Sequence, residues 1–114
     1  MKQGRGGIEY EDIDAGDGPA ATRGCAVTIE YSLFLNRGDC VQDSRTHSFR
    51  LGERRVVAGL EYGVEGMQVG GKRHIRVGPH LAYGAAGVPG TIPANAVLEF
   101  RVQLLSVTPN DKTA

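Results

Sequence analysis

The sequence predicts an α+β fold in which a curved antiparallel sheet of five to six strands, a half-barrel, wraps around one short helix. Three observations carry this expectation. Alternating apolar residues mark long strands in both halves of the chain, one helical apolar period lies between them, and glycine makes up 17 of the 114 residues. That glycine content is about twice the usual ~7%. Without a triplet repeat it signals tight turns and close backbone approaches, which suit a sheet better than a helical bundle.

Residues 1–7 are polar and glycine-rich and predict a flexible terminus ahead of a domain at 8–107, with a polar tail at 108–114. Ile8 to Ile13 reads as a first strand, closed by the turn cluster Ala15 to Pro19. Cys25, Val27, Ile29, Tyr31, Leu33 and Leu35 then alternate with Thr28, Glu30 and Ser32, which predicts a strand with one buried face. Asn36-Arg37-Gly38-Asp39 reverses it into a hairpin and sets Cys40 opposite Phe34. Cys40 to Gln42 and Ser48 to Leu51 predict two short strands around a polar link, Asp43 to His47.

Here the period changes. Val57, Leu60, Val64 and Met67 share one face of a helix of about two turns. Gly59, Gly63 and Gly66 each cost that helix about 1 kcal/mol against alanine, so it should exist only where a sheet covers its apolar stripe. Val69-Gly70-Gly71 ends it. Lys72 to Val77 predicts a strand with Arg73, Ile75 and Val77 on one side, and Gly78 to Asn95 is too rich in Gly, Pro and Ala for a regular element. The last strand, Ala96 to Val107, places Leu98, Phe100, Val102 and Leu104 on one face.

Thirteen basic and thirteen acidic residues leave no net field to draw in nucleic acid or an anionic membrane, and neither partner is expected. The first residues lack the apolar core of a signal peptide, and no apolar run approaches the ~18 residues of a membrane span. Cys25 and Cys40 are too few for a disulfide framework and are expected as thiols of a cytoplasmic protein. His47, His74 and His80 lack metal-ligand spacing, and His74, beside Arg73 and Arg76, is expected on the solvated surface. The run Gly84-Ala85-Ala86-Gly87 lacks the Lys-Ser/Thr of a phosphate loop, and no nucleophile motif occurs. No metal or cofactor is expected. Any catalysis by this chain must rest on shape and polarity.

Three stretches, VVAGLEYGVEGMQVGGKR from Val56, LAYGAAGVPGTIP from Leu81 and NAVLEFRVQLLSV from Asn95, together resemble the FKBP-type peptidyl-prolyl cis/trans isomerases in order and spacing. Weaker matches at Gly16-Asp17-Gly18 and Val27 to Leu35 extend the resemblance over residues 8–107. It implies the FKBP-like fold, in agreement with the periodicity, and a pocket between helix and sheet that takes the ring of a proline. Carried over by position, its lining is Tyr31, Val56, Val57, Leu60, Tyr83, Ile92 and Phe100. The catalytic set implied is Tyr83, Ile92 and Phe100, with the Ile92 backbone N–H donating to one ligand carbonyl and the Tyr83 hydroxyl binding another. The family's usual Phe-Asp pair aligns with Val41-Gln42, while a one-residue slip would bring Asp43 into the acidic role.

Periodicity alone reads Tyr31, Val57, Leu60 and Phe100 as core. Tyr83 and Ile92 differ, because an ordered apolar side chain in a Gly/Pro-rich loop needs a reason. The implied function is isomerisation of X-Pro bonds in peptides and folding proteins by a monomer. Implied partners are proline-containing peptides, unfolded or partner proteins and, weakly, immunosuppressive macrolides. Leu60 replaces the tryptophan floor of the best-known members, His47 stands where an aromatic is common, and Val88 replaces a histidine. The segment between Asp43 and Phe49 is also shorter than in typical members. These changes remove aromatic area or a polar anchor, which predicts weak activity. The alternative is an inactive module that binds a protein partner through the same groove.

Overall fold

A computed structural model describes residues 2–36 and 38–108. Met1, Arg37, which the sequence reading put in the hairpin turn, and the tail at 109–114 lie outside them. The elements are β1 (Lys2–Gln3), β2 (Glu9–Asp14), β3 (Ala26–Leu35), β4 (Cys40–Arg50), α1 (Ala58–Val64), β5 (Lys72–Val77) and β6 (Leu98–Thr108). All six strands form one antiparallel sheet in the order β1-β2-β5-β6-β3-β4, and it curves around α1.

The alternation seen in the sequence becomes the concave face. Val27, Ile29, Leu33 and Leu35 of β3 are buried with Leu98, Phe100, Val102 and Leu104 of β6 and Ile75 and Val77 of β5. Cross-strand register sets them in rows, so that Ile75, Phe100, Leu33 and Gln42 lie side by side across four strands. Leu60 and Val64 of α1 complete this core. Burying each such side chain stabilises the fold by about 1.5–3 kcal/mol, which holds a seven-residue helix too short to persist alone.

The glycines of α1 are its contact surface. Gly59 lies against Val77 and Gly63 against Ile75, each too close to leave room for a Cβ. At the helix C-terminus, Arg73 donates from Nη1 to the Gly63 carbonyl at 2.9 Å and from Nε to Asp12 at 2.7 Å. A cation there complements the helix dipole and satisfies an otherwise orphaned carbonyl.

Four sequence expectations change. The two short strands around Asp43 to His47 are one strand, β4, bent by a bulge. The helix is narrower than its apolar stripe: Val57 is the extended residue before it, and Met67 reaches the core from the turn beyond. Residues 2–7 form β1 and a 3-10 turn at Arg5–Gly7, where Arg5 lies 5.0 Å from the Tyr62 ring and pairs with Glu65 at 3.4 Å. His74 is only partly exposed, its Nε2 lying 2.7 Å from Glu99 Oε1. The hairpin register holds, with Phe34 opposite Cys40.

Candidate functional site

An open hollow of about 400 Å³ lies where the start of α1 meets the concave face of the sheet and the loop at 78–95. Ligand pockets commonly measure ~300–1,000 Å³. Leu60, Phe100, Ile92 and Leu33 form the buried part of its lining, at 3%, 2%, 5% and 5% exposure. Tyr31, Val56, Val57 and Tyr83 continue it, and Val41, Gln42, His47, Arg55, Val88 and Thr91 complete it. The Tyr31 and Phe100 rings meet at a tilt of 52° with centroids 6.1 Å apart. A larger hollow of about 500 Å³ beside Ile13 is bordered by Glu30, Lys72, Arg73 and Arg101, whose charged ends suit solvent better than an apolar guest.

Of the nine residues singled out in the sequence, the structure brings eight to this hollow: Tyr31, Val41, Val56, Val57, Leu60, Tyr83, Ile92 and Phe100. Asp43 is the exception, and the bulge explains it. Tyr31 pairs with Arg45 and Leu33 with Gln42, so Asp43 and Ser44 together face the single residue Ser32. Ser44 adopts a φ of 48°, its N–H donates to Ser32 Oγ at 3.0 Å, and Ser32 Oγ donates to Asp43 Oδ1 at 3.2 Å. Asp43 is thereby exposed and tied to the bulge. Gln42 takes the lining position, and its Oε1 is buried without a hydrogen-bond partner among the described residues.

The loop at 78–95 is irregular yet heavily cross-linked. Gly84 N–H donates to Pro79 at 2.9 Å, Gly87 N–H to Tyr83 at 3.0 Å, and Asn95 N–H to Gly84 at 2.9 Å. Val88 and Ile92 exchange both backbone hydrogen bonds at 2.8 Å. Gly87, at a φ of 61°, packs against the Ile92 and Pro93 carbonyls, where a side chain would clash. These bonds give Tyr83 and Ile92 fixed positions without a regular element.

The same bonds correct the expected donor. The Ile92 N–H is committed to Val88 and is not available to a ligand carbonyl. Val57 instead precedes α1 with φ −58° and ψ 145°, lines the hollow, and leaves its N–H without an acceptor among the described residues. Such orphan donors are a general property of helix starts. The sequence signal was the helix boundary itself, placed one residue too early. Tyr83 is 38% exposed, and burial, with a smaller contribution from Tyr31, pushes its hydroxyl above the ordinary value of 10.0. The phenol therefore stays protonated and able to donate at neutral pH.

Glu61 supports the site from behind. Its buried carboxylate accepts from the Gly52 N–H at 3.2 Å and the Arg54 N–H at 3.0 Å, pinning the segment before Val56 to α1. Arg54 sits there at a φ of 57°, a conformation disfavoured for any residue with a side chain. Nothing in the sequence spacing announced this role.

The hollow combines apolar walls with a phenol and a backbone N–H on its lining. The sequence model of the FKBP-type peptidyl-prolyl cis-trans isomerases matches residues 18–105. The chain is 41% identical over 110 residues to the 46 kDa FK506-binding nuclear protein of Spodoptera frugiperda, covering 93% of this chain and 27% of that one. Among solved structures, FkpA from Escherichia coli superposes with a TM-score of 0.83 at 36% identity, over 96% of this chain and 52% of that one. A peptidyl-prolyl cis-trans isomerase from Pseudomonas syringae gives 0.84 at 27% identity, over 94% of this chain and 80% of the other.

The chain belongs to the FKBP-type peptidyl-prolyl cis-trans isomerase family. It spans about a quarter of the length of the curated relatives it matches, at 27% and 28% of the first two.

Proposed function

We propose that the chain accelerates cis/trans rotation about X-Pro bonds, with the prolyl ring seated on Leu60, Ile92 and Phe100. The supporting observation is the hollow itself, which is open and walled by buried apolar side chains rather than filled by them. An X-Pro bond isomerises unaided in tens to hundreds of seconds, because rotation breaks the amide resonance that keeps it planar. The twisted amide has the less polar carbonyl, so an apolar wall disfavours the planar ground state more than the transition state. Only such a difference speeds the reaction, at about 1.4 kcal/mol per tenfold. The Val57 N–H and the Tyr83 hydroxyl hold carbonyls on one flank of the bond, so that the other flank is free to turn. No proton transfer or covalent step is needed.

The activity we propose is modest. A leucine floor offers less contact and no ring face to a proline, and Gln42 rather than a carboxylate stands beside Leu33. On the same grounds macrolide binding is weak. We place the chain in the cytoplasm and as a monomer. The reduced aromatic lining also supports a second reading, a binding module without useful catalysis.

NMR exchange spectroscopy on an Ala-Leu-Pro-Phe peptide separates the two. Faster cis/trans exchange that disappears in Tyr83→Ala and Ile92→Asp variants is the expected result. Binding without faster exchange leaves only the module, and absence of binding removes both.

A further inference from the structure

We infer that the site selects prolines flanked by acidic side chains, a preference that rests on the prolyl-peptide reading of the hollow. Arg55 is the only permanently charged side chain lining it, and no carboxylate among the described residues does so. Val56 also lines a second hollow, of about 310 Å³, whose charged lining is Arg5, Arg23 and Arg54 with Glu61 and Glu65. A peptide leaving the first hollow across Val56 therefore meets guanidinium groups within its next few residues.

Glu53, Glu61 and Glu65 cancel part of this charge and leave a net excess of guanidinium groups. Glu61 keeps its negative charge but is held by two backbone N–H groups, and Glu65 pairs with Arg5 at 3.4 Å. Glu53 is shared between Arg50 and Arg55, each at 3.7 Å. Neither Arg23 nor Arg54 has an ion-pair partner among the described residues. A guanidinium left without a carboxylate is well matched to an incoming one, which it can grip through two parallel N–H donors.

The zero net charge conceals a separation. Glu9, Glu11, Asp12, Asp14 and Asp17 fall in a stretch with no basic residue, whereas Arg45, Arg50, Arg54 and Arg55 face the single acid Glu53 between positions 45 and 55. The first stretch belongs to β2 and the turn after it, where Arg73 and Arg76 of β5 pair with Asp12 and Glu9. The second belongs to β4, which also carries Asp43, and the segment after it, and the two strands stand towards opposite edges of the sheet. The hollow lies at the basic edge. An acidic flank is drawn towards this edge, and a basic one is repelled.

Three synthetic peptides test this: Glu-Ala-Leu-Pro-Ala-Glu and its counterparts with Gln or Lys at both ends. Each is titrated into the full chain by NMR for affinity and followed by exchange spectroscopy for rate. The Glu peptide should bind roughly fivefold more tightly than the Lys peptide in about 20 mM salt, with the gap closing near ~0.5 M. Charge reversal in R54E/R55E should invert the order. The milder R23Q/R54Q pair should weaken the Glu peptide while leaving the Gln peptide unchanged. Equal affinities for all three peptides would overturn the inference, even with exchange accelerated and the isomerase reading intact. Graded binding without faster exchange would uphold the inference and remove the isomerase. If no peptide binds, both fall.

Discussion

Gly59 of α1 rests directly on Val77 of β5, and Gly63, one turn later, rests on Ile75 in the same way. A methyl group at either position would enter space the strand side chain already fills. Two effects then compete in Gly59→Ala or Gly63→Ala. Helix propensity gains about 1 kcal/mol, while overpacking a tight core costs about 1–3 kcal/mol and sometimes more. Overpacking wins here because the contacts involve branched side chains anchored in the sheet. Both variants should unfold several degrees below the parent in a thermal melt; a rise in Tm would show that the helix can lift away.

Glu61→Ala leaves two backbone N–H groups unpaired beneath the segment that leads to the hollow. Hydrogen bonds to a charged acceptor are worth about 1.5–3 kcal/mol each, so a loss of at least about 2 kcal/mol is expected by urea unfolding. Glu61→Gln keeps an acceptor oxygen and should lose less. Equal losses would place the effect in packing rather than in the bonds.

Gln42 carries a buried Oε1 without a partner among the described residues. Replacing it by Met removes an unsatisfied acceptor at similar volume, and stability should rise by about 1 kcal/mol. Because Gln42 lines the hollow, affinity for prolyl peptides should fall at the same time. Calorimetry on one sample measures both quantities, and a variant that gained stability without losing affinity would take Gln42 out of the site.

Leu60→Trp restores a ring face at the floor. Affinity for a prolyl peptide should rise about tenfold, in line with aromatic contacts worth ~0.5–1.5 kcal/mol beyond their buried area. Leu60 is already buried, so some stability is lost to crowding. Unchanged affinity in a folded variant would mean that proline does not sit on this residue.

Tyr83 gives a pH signature. Its hydroxyl titrates above 10.0 in the folded chain, with burial as the main cause and Tyr31 as the lesser one. As pH rises past 10.0, the unfolded phenol loses its proton first, so the folded state binds more protons and stability falls until the folded group has titrated. The slope is shallow, because the side chain is partly exposed. Urea midpoints measured on either side of pH 10.0 should drop less in Tyr83→Phe than in the parent. The same variant should retain the fold and lose about three- to tenfold in kcat/KM, the value of one hydrogen bond.

The strands were legible because a period of two buries one face of a sheet, and the residues of β3, β5 and β6 obey it without exception in their buried stretches. The apolar lining was legible because family motifs fix Val56, Val57, Leu60, Tyr83, Ile92 and Phe100. What escaped was set by contacts between distant segments. The bulge that excludes Asp43 depends on Ser32, eleven residues away in the chain. Val88 closes the Ile92 N–H through a bridge inside a loop that has no period to read. The glycines of α1 looked like a weakness of the helix, since propensity describes an isolated segment and says nothing of the strand beneath it.

Arg73 and Arg76 of β5 pair with acids of β2, whereas Arg23 and Arg54 near the other edge have no ion-pair partner among the described residues, which leaves the molecule a modest dipole moment at its isoelectric point. At low ionic strength neighbouring molecules can attract one another end to end, and dissolved salt weakens that attraction. Solubility near pH 6.8 should therefore increase with added salt, and the chain should adhere to both cation- and anion-exchange resins despite carrying no net charge.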